Sequence, residues 1–146
     1  MTLIDQLWDF YQIEDWHRYK EPKESIDRYH ERLIENGNII TVSDGDILLG
    51  YLEFWKITFE QFGRIVCDEH FSAYHEDVQG GLIAYVANAF IRPEYRNTGV
   101  YKKLRHKFFE ANSNCTHFVG EARRKKSAPI KVFKRSQIAS LNKVEV

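Results

Sequence analysis

Apolar positions recur along the first part of the chain at the spacing of one helix face. Leu3, Leu7, Trp8, Phe10, Tyr11 and Trp16 predict a helix over residues 3–16. Lys23-Glu24-Ser25 opens a second helix carrying Ile26, Tyr29, Leu33 and Ile34. Asn36-Gly37 stops it, because glycine takes the left-handed conformation that closes a helix. The period then changes. Ile39-Ile40-Thr41-Val42 and the run from Ile47 to Ile57 predict two strands joined by Ser43-Asp44-Gly45-Asp46, a hairpin with Asp-Gly at its tip. In residues 58–81, Phe59, Phe62, Ile65 and Val66 suit a short helix, and His70 to Gly81 reads as a loop. Leu82 to Ile91 hardly alternates, as expected of a strand covered on both faces. Gly99 to Asn112 predicts a helix, His117 to Ala122 a strand, Pro129 to Arg135 a helix, and Ser140 to Val146 a last strand. With no repeat, low-complexity stretch or dividing linker, residues 1–146 read as one domain of the α/β class.

The stretch from Ala89 to Leu104 carries the most chemistry. Pro93 has no N–H for a sheet ladder and ends the strand before it. Arg96-Asn97-Thr98-Gly99 is a polar turn, and Val100, Leu104 and Phe108 then recur at helical spacing among Lys102, Lys103, Arg105 and Lys107. A strand, a glycine-containing turn and a helix start beside cations make a site for a phosphate or pyrophosphate. Free N–H groups and the positive end of the helix dipole face the anion. The plainer reading is an ordinary strand-turn-helix with solvated arginines.

Composition narrows the picture. A 43% hydrophobic and 14% aromatic chain of 146 residues is globular rather than disordered. No apolar run reaches the ~20 residues of a membrane span. The N-terminus carries Asp5 and Asp9 and has no basic-then-apolar leader. Cys67 and Cys115 lack metal spacing and read as free thiols, so a cytoplasmic location is expected. Net charge is zero, yet residues 1–81 hold 7 Lys+Arg against 17 Asp+Glu, and residues 82–146 hold 14 against 4. Either two solvated faces differ in sign, or the second half handles an anion while the first faces a cation.

The sequence Ile91-Arg92-Pro93-Glu94-Tyr95-Arg96, followed by Arg96-x-x-Gly99-x-Tyr101, resembles the cofactor loop of the GCN5-related N-acetyltransferase (GNAT) family. There, Pro-x-Tyr-Arg and Arg/Gln-x-x-Gly-x-Gly/Ala hold coenzyme A; here Tyr101 replaces the final small residue. The resemblance covers about residues 39–138. It implies a central mixed, mostly antiparallel sheet flanked by helices on both faces. No first strand precedes the helices and little chain remains for a seventh, so the sheet is either trimmed or completed by a second copy in a homodimer. By position, Ala89, Phe90 and Ile91 would pair with the pantetheine arm. Arg96, Asn97, Thr98, Gly99, Val100, Tyr101 and Lys102 would cradle the phosphates, and Lys126 stands where many members carry an asparagine that touches the cofactor.

The resemblance also implies acetyl transfer from acetyl-coenzyme A to a primary amine of a small molecule or protein. Phe118-Val119-Gly120-Glu121-Ala122-Arg123 is similar to the strand that carries the glutamate base in the ribosomal-protein N-terminal acetyltransferases, which makes Glu121 the first candidate base and Glu53 the second. The tyrosine acid, twelve residues on and in the family's fourth helix, is replaced by Phe133. The acidic insert, with Asp68, Glu69, His70, His75, Glu76 and Asp77, would wall the acceptor side together with Trp16, Tyr19 and Tyr74. Its His and carboxylate spacing matches no zinc pattern, so no metal is expected. Two other functions stay open. Tyr101 and Phe133 favour a catalytically weak acyl-coenzyme A binder. The basic cluster Arg123-Arg124-Lys125-Lys126 with Lys131, Lys134 and Arg135 favours a relative that modifies nucleic acid, though no stacking pattern or DNA-binding motif accompanies it.

Overall fold

The structure, a computed structural model, describes residues 1–14, 21–67, 71–73, 75–120 and 131–134, the last four as backbone. Its elements run α1 (Leu3–Ile13), α2 (Lys23–Asn36), β1 (Ile39–Asp44), β2 (Ile47–Ile57), α3 (Phe59–Val66), β3 (Ile83–Ile91), a 3-10 turn (Pro93–Tyr95), α4 (Val100–Ala111), β4 (His117–Gly120) and β5 (Lys131–Lys134).

Local chemistry explains most of the boundaries. The Thr2 hydroxyl accepts the Asp5 N–H at the start of α1. Gly37, at φ 72°, closes α2, and the Asn38 N–H reaches back to the Leu33 carbonyl. Thr58 and Gln61 cap α3 reciprocally, each side chain accepting the other's N–H. Gly45, at φ 58°, makes the hairpin tip between β1 and β2.

The strands are hydrogen-bonded in the order β1-β2-β3-β4-β5. β1 and β2 are antiparallel, β3 and β4 parallel, β4 and β5 antiparallel. Val42 faces Gly50 but Ser43 faces Leu48, so Leu49 is an extra residue, a bulge in β2. The described β3–β4 ladder runs from Ile83↔His117 to Tyr85↔Val119.

Two expectations need correction. Residues 129–135 are not a helix where described, because Lys131–Lys134 form β5 and Phe133 pairs with Phe118. Val132-Phe133 is a β-branched and aromatic pair, and a four-residue run has too few positions for helical spacing to compete with a waiting strand edge. Phe133 therefore does not occupy the acid's place on a fourth helix. The first helix ends at Ile13, with Glu14 already extended. The strand expected over 140–146 lies outside the described residues, as do Glu121 and Ala122 of the strand expected over 117–122.

The chain divides into two compact units, Met1–Glu53 with Asn88–Ala111, and Phe54–Ala87 with Asn112–Val146. The first is built on Leu7, Phe10, Leu48, Tyr51 and Phe90, with Phe10 stacked on Tyr51 at 5.9 Å and tilted against Phe90 at 4.8 Å. Successive residues of a strand face opposite ways. Tyr51 meets α1, whereas a Cβ on Gly50 would meet Val100 of α4 at 3.1 Å, so this unit has helices on both faces of its strands. The second unit is built on Ile57, Val78, Ile83, Tyr85, Ala87 and Val119, with Trp55, Phe62, Ile65 and Phe71 packed against them. Gly81 closes against β2 so tightly that a Cβ would lie 1.9 Å from the Ile57 backbone.

Candidate functional site

The loop after β3 is rooted by Arg92. Its N–H donates to the Leu49 carbonyl at 2.9 Å and its Nε to the Leu48 carbonyl at 2.6 Å. Its guanidinium covers the Phe10 ring at 4.8 Å. Both carbonyls belong to the bulged stretch of β2, so the bulge and the loop fix each other. Pro93 opens a single 3-10 turn, in which its missing N–H is no loss.

Beyond that turn the backbone becomes left-handed twice, at Asn97 (φ 65°) and Gly99 (φ 92°). Asparagine tolerates this conformation and glycine has no Cβ to oppose it. The Thr98 hydroxyl donates to the Tyr95 carbonyl, and Arg96 lays its guanidinium 5.8 Å from the Phe90 ring. α4 starts at Val100, with Lys103 N–H donating to the Gly99 carbonyl at 3.1 Å. The first-turn amides of a helix have no acceptor within it and carry its positive end. Space around Gly99 is open to 4 Å. Tyr101 is 55% exposed, so its ring lies outside the packing of the helix start. Gly50 lets this start settle on β2, because a Cβ there would press on Phe90, Val100 and Ile91 at 3.0–3.2 Å.

The same unit encloses a polar cluster that sequence reasoning only half found. Glu53, expected as a strand carboxylate at the surface unless catalytic, is 6% exposed and accepts the Tyr29 hydroxyl. Glu14, not anticipated at all, is 4% exposed. Its Oε1 accepts the Tyr51 hydroxyl at 2.9 Å, and its Oε2 accepts Asn88 Nδ2 at 3.2 Å. Asn88 Nδ2 also donates to the Tyr51 oxygen at 2.6 Å, which closes a three-membered ring of hydrogen bonds. Burial, with Glu14 and Glu53 close by, holds the Tyr51 hydroxyl well above its ordinary pKa, so it stays protonated. His30 packs edge-on to Tyr51, and burial, outweighing nearby Asp27, lowers its pKa to about 4. Only the one-in-two spacing of Tyr51 and Glu53 on β2 could have hinted at a shared face.

No protein-family model matches the chain, and no curated protein does. Solved structures do. The loading GNATL domain of CurA from Lyngbya majuscula superposes with a TM-score of 0.56 at 13% identity, over 86% of this chain and 65% of that one. The fold is GNAT-like. The GphF GNAT-like decarboxylase, solved in complex with isobutyryl-CoA, gives 0.54 at 12% identity over 80% of this chain and 60% of that one. The chain thus spans less than two thirds of either of these GNAT-like proteins.

Within this GNAT-like fold the expected cofactor residues fall together on one unit. Ala89, Phe90 and Ile91 end β3, and Arg96 through Lys102 form the turn and the first residues of α4. Ala89, Arg96, Asn97, Thr98, Gly99, Tyr101 and Lys102 are exposed, whereas Phe90 and Val100 are buried as anchors. Glu121 and Lys126 lie outside the described residues, as do Trp16, Tyr19, Asp68, Glu69, His70 and Tyr74. The described part of the acidic insert is engaged within its own unit. Glu76 pairs with Arg64, whose guanidinium also covers Phe71, and Asp77 accepts the Gln79 N–H. Among the described residues no helix is long and apolar enough to cross a membrane.

Proposed function

We propose that the chain is an acyl-coenzyme A-dependent acyltransferase that moves an acetyl group from acetyl-coenzyme A to a primary amine of a small molecule or a protein. The observation that carries this reading is the left-handed pair Asn97 and Gly99 between β3 and the amino end of α4, in a GNAT-like fold. The residues fit the group. The turn is exposed, Gly99 faces open space, and cationic Arg96 and Lys102 flank it. Amides of the turn and of the first residues of α4 would hold the pyrophosphate, and the main chain of Ala89, Phe90 and Ile91 would pair with the arm. When bound, acetyl-coenzyme A supplies a thioester whose carbonyl an amine attacks.

The chain's own part is proton transfer and positioning. Glu53, which accepts the Tyr29 hydroxyl, is suited to take a proton from the incoming ammonium; Glu121 is the other candidate. Acetyl-coenzyme A is expected to raise the melting temperature saturably, and an amine panel to release free thiol. Glu53→Gln should lower turnover about 10²-fold with acetyl-coenzyme A affinity kept, and full activity in that variant assigns the base to Glu121. No thermal shift at millimolar acetyl-coenzyme A refutes the reading.

A second reading, acyl-coenzyme A chemistry without an amine acceptor, is favoured by the likeness to GphF, which is described as a decarboxylase. Consumption of a malonyl-type thioester with no thiol released would select it.

A further inference from the structure

We propose that Asn88 receives the acceptor amine through its side-chain carbonyl, with Glu14 and Tyr51 as the positioning residues that set its orientation; the proposal rests on the acyltransferase reading above. Asn88 directly precedes Ala89, where the strand reserved for the thioester arm begins. A carboxylate only accepts hydrogen bonds, so the side of the Asn88 amide that meets Glu14 must be its NH2 group. The contacts agree, with Nδ2 at 3.2 Å from Glu14 Oε2 and 2.6 Å from the Tyr51 oxygen. Tyr51 spends its own proton on Glu14, which leaves its oxygen to accept from Asn88.

The amide therefore cannot flip without setting its carbonyl against a carboxylate. Oδ1 is turned away from the ring, and no described residue donates to it. Glu14 and Tyr51 are buried, whereas Asn88 is half-buried, so of the three it is Asn88 that reaches a ligand.

A fixed carbonyl oxygen selects an N–H donor and gives nothing to a thioester carbonyl, which also accepts. Two buried carboxylates, Glu14 and Glu53, lie close to Tyr51, and their negative potential favours a cationic donor. A primary amine, arriving as ammonium and attacking as the neutral base, meets both conditions. The ammonium donates one N–H to Oδ1 and gives up another proton to the base, Glu53 or Glu121. The freed lone pair then forms the C–N bond at the thioester carbonyl, the C–S bond breaks, and coenzyme A leaves as thiolate and takes up the remaining surplus amine proton.

The test uses the full chain, acetyl-coenzyme A, and spermidine and an alanine-terminated peptide as probe amines. Asn88→Leu should raise the KM for the amine about tenfold or more, with kcat less affected and acetyl-coenzyme A affinity within twofold. Glu14→Gln, whose side-chain amide can donate as well as accept and so lets the Asn88 amide flip, should raise the same KM by a smaller factor. In the unsubstituted protein, saturating amine should shift the side-chain amide resonances of Asn88 when coenzyme A is present, a readout that does not depend on any variant folding. An unchanged amine KM in Asn88→Leu overturns the proposal, as does an unmoved resonance or a lack of turnover with either amine. A fall in acetyl-coenzyme A affinity instead makes Asn88 a contact of the thioester arm, which also overturns it. If the unsubstituted chain binds no acetyl-coenzyme A, the acyltransferase reading fails first and separately.

Discussion

The first unit buries Glu14, Glu53 and His30 beside Phe10 and Tyr51, whereas the buried polar residues described in the second are two amides, Gln61 and Asn112, around an apolar centre of Ile57, Ile83, Tyr85 and Val119. A carboxylate taken from water costs several kcal/mol unless hydrogen bonds replace its hydration. The first unit accepts that cost twice and answers it with Tyr29, Tyr51 and Asn88. Among its described residues the second shows no such burial, with Asp77 exposed and Glu76 half-buried on Arg64. The described buried carboxylates thus all lie in the first unit.

The sharpest way to break the contrast is to disturb the second unit. Gly81→Ala would drive a Cβ into the Ile57 and Thr58 backbone, which cannot rotate aside as a side chain would. It should cost more than about 3 kcal/mol and prevent cooperative urea unfolding at 37 °C. A wild-type midpoint would show that this segment is not packed as described.

The polar unit should instead reveal itself through pH. His30 titrates near 4 when folded and near 6.5 in its ordinary state. Between those values the unfolded chain holds a proton that the folded one lacks, so stability falls as pH drops through this window. The loss approaches about 3 kcal/mol at its lower end. Urea unfolding at pH 7 and pH 4.5 should show a steeper acid loss in the unsubstituted protein than in His30→Leu. Equal slopes would remove His30 as the cause.

The smallest effect belongs to the loop. Tyr101→Ala should change stability by less than about 0.5 kcal/mol, because its ring is mostly in solvent. Acetyl-coenzyme A affinity, read by calorimetry, should also hold, since in the proposed function main-chain amides rather than that ring would form the cradle. A tenfold loss would mean that the ring clasps the ligand.

What could be read from the sequence depended on how far apart the deciding residues lie. The stop of α2 at Gly37, the hairpin tip at Gly45 and the turn into α4 are each written within a few neighbouring residues, and each was expected correctly. The Glu14 site was not, because its partners Tyr51 and Asn88 lie 37 and 74 residues away and no local period connects them. Glu53 reads in the sequence as a carboxylate on a strand, but its partner Tyr29 sits on α2, 24 residues earlier in the chain. Residues 131–134 show the same limit. Their state was decided by pairing with Phe118 and Val119, which nothing within the run itself could announce.

The hold of Arg92 on Leu48 and Leu49 bears on how this loop could be transplanted. A graft cut at Pro93 would carry the turn but leave its anchor behind, and the tip would arrive unmoored in a new scaffold. The portable module starts at Arg92 and includes the kinked stretch Leu48-Leu49-Gly50, since the recipient strand must offer the same two carbonyls and the same side-chain-free seat for Val100. Inheritance of such a loop by recombination would likewise require two distant sequence blocks to travel together.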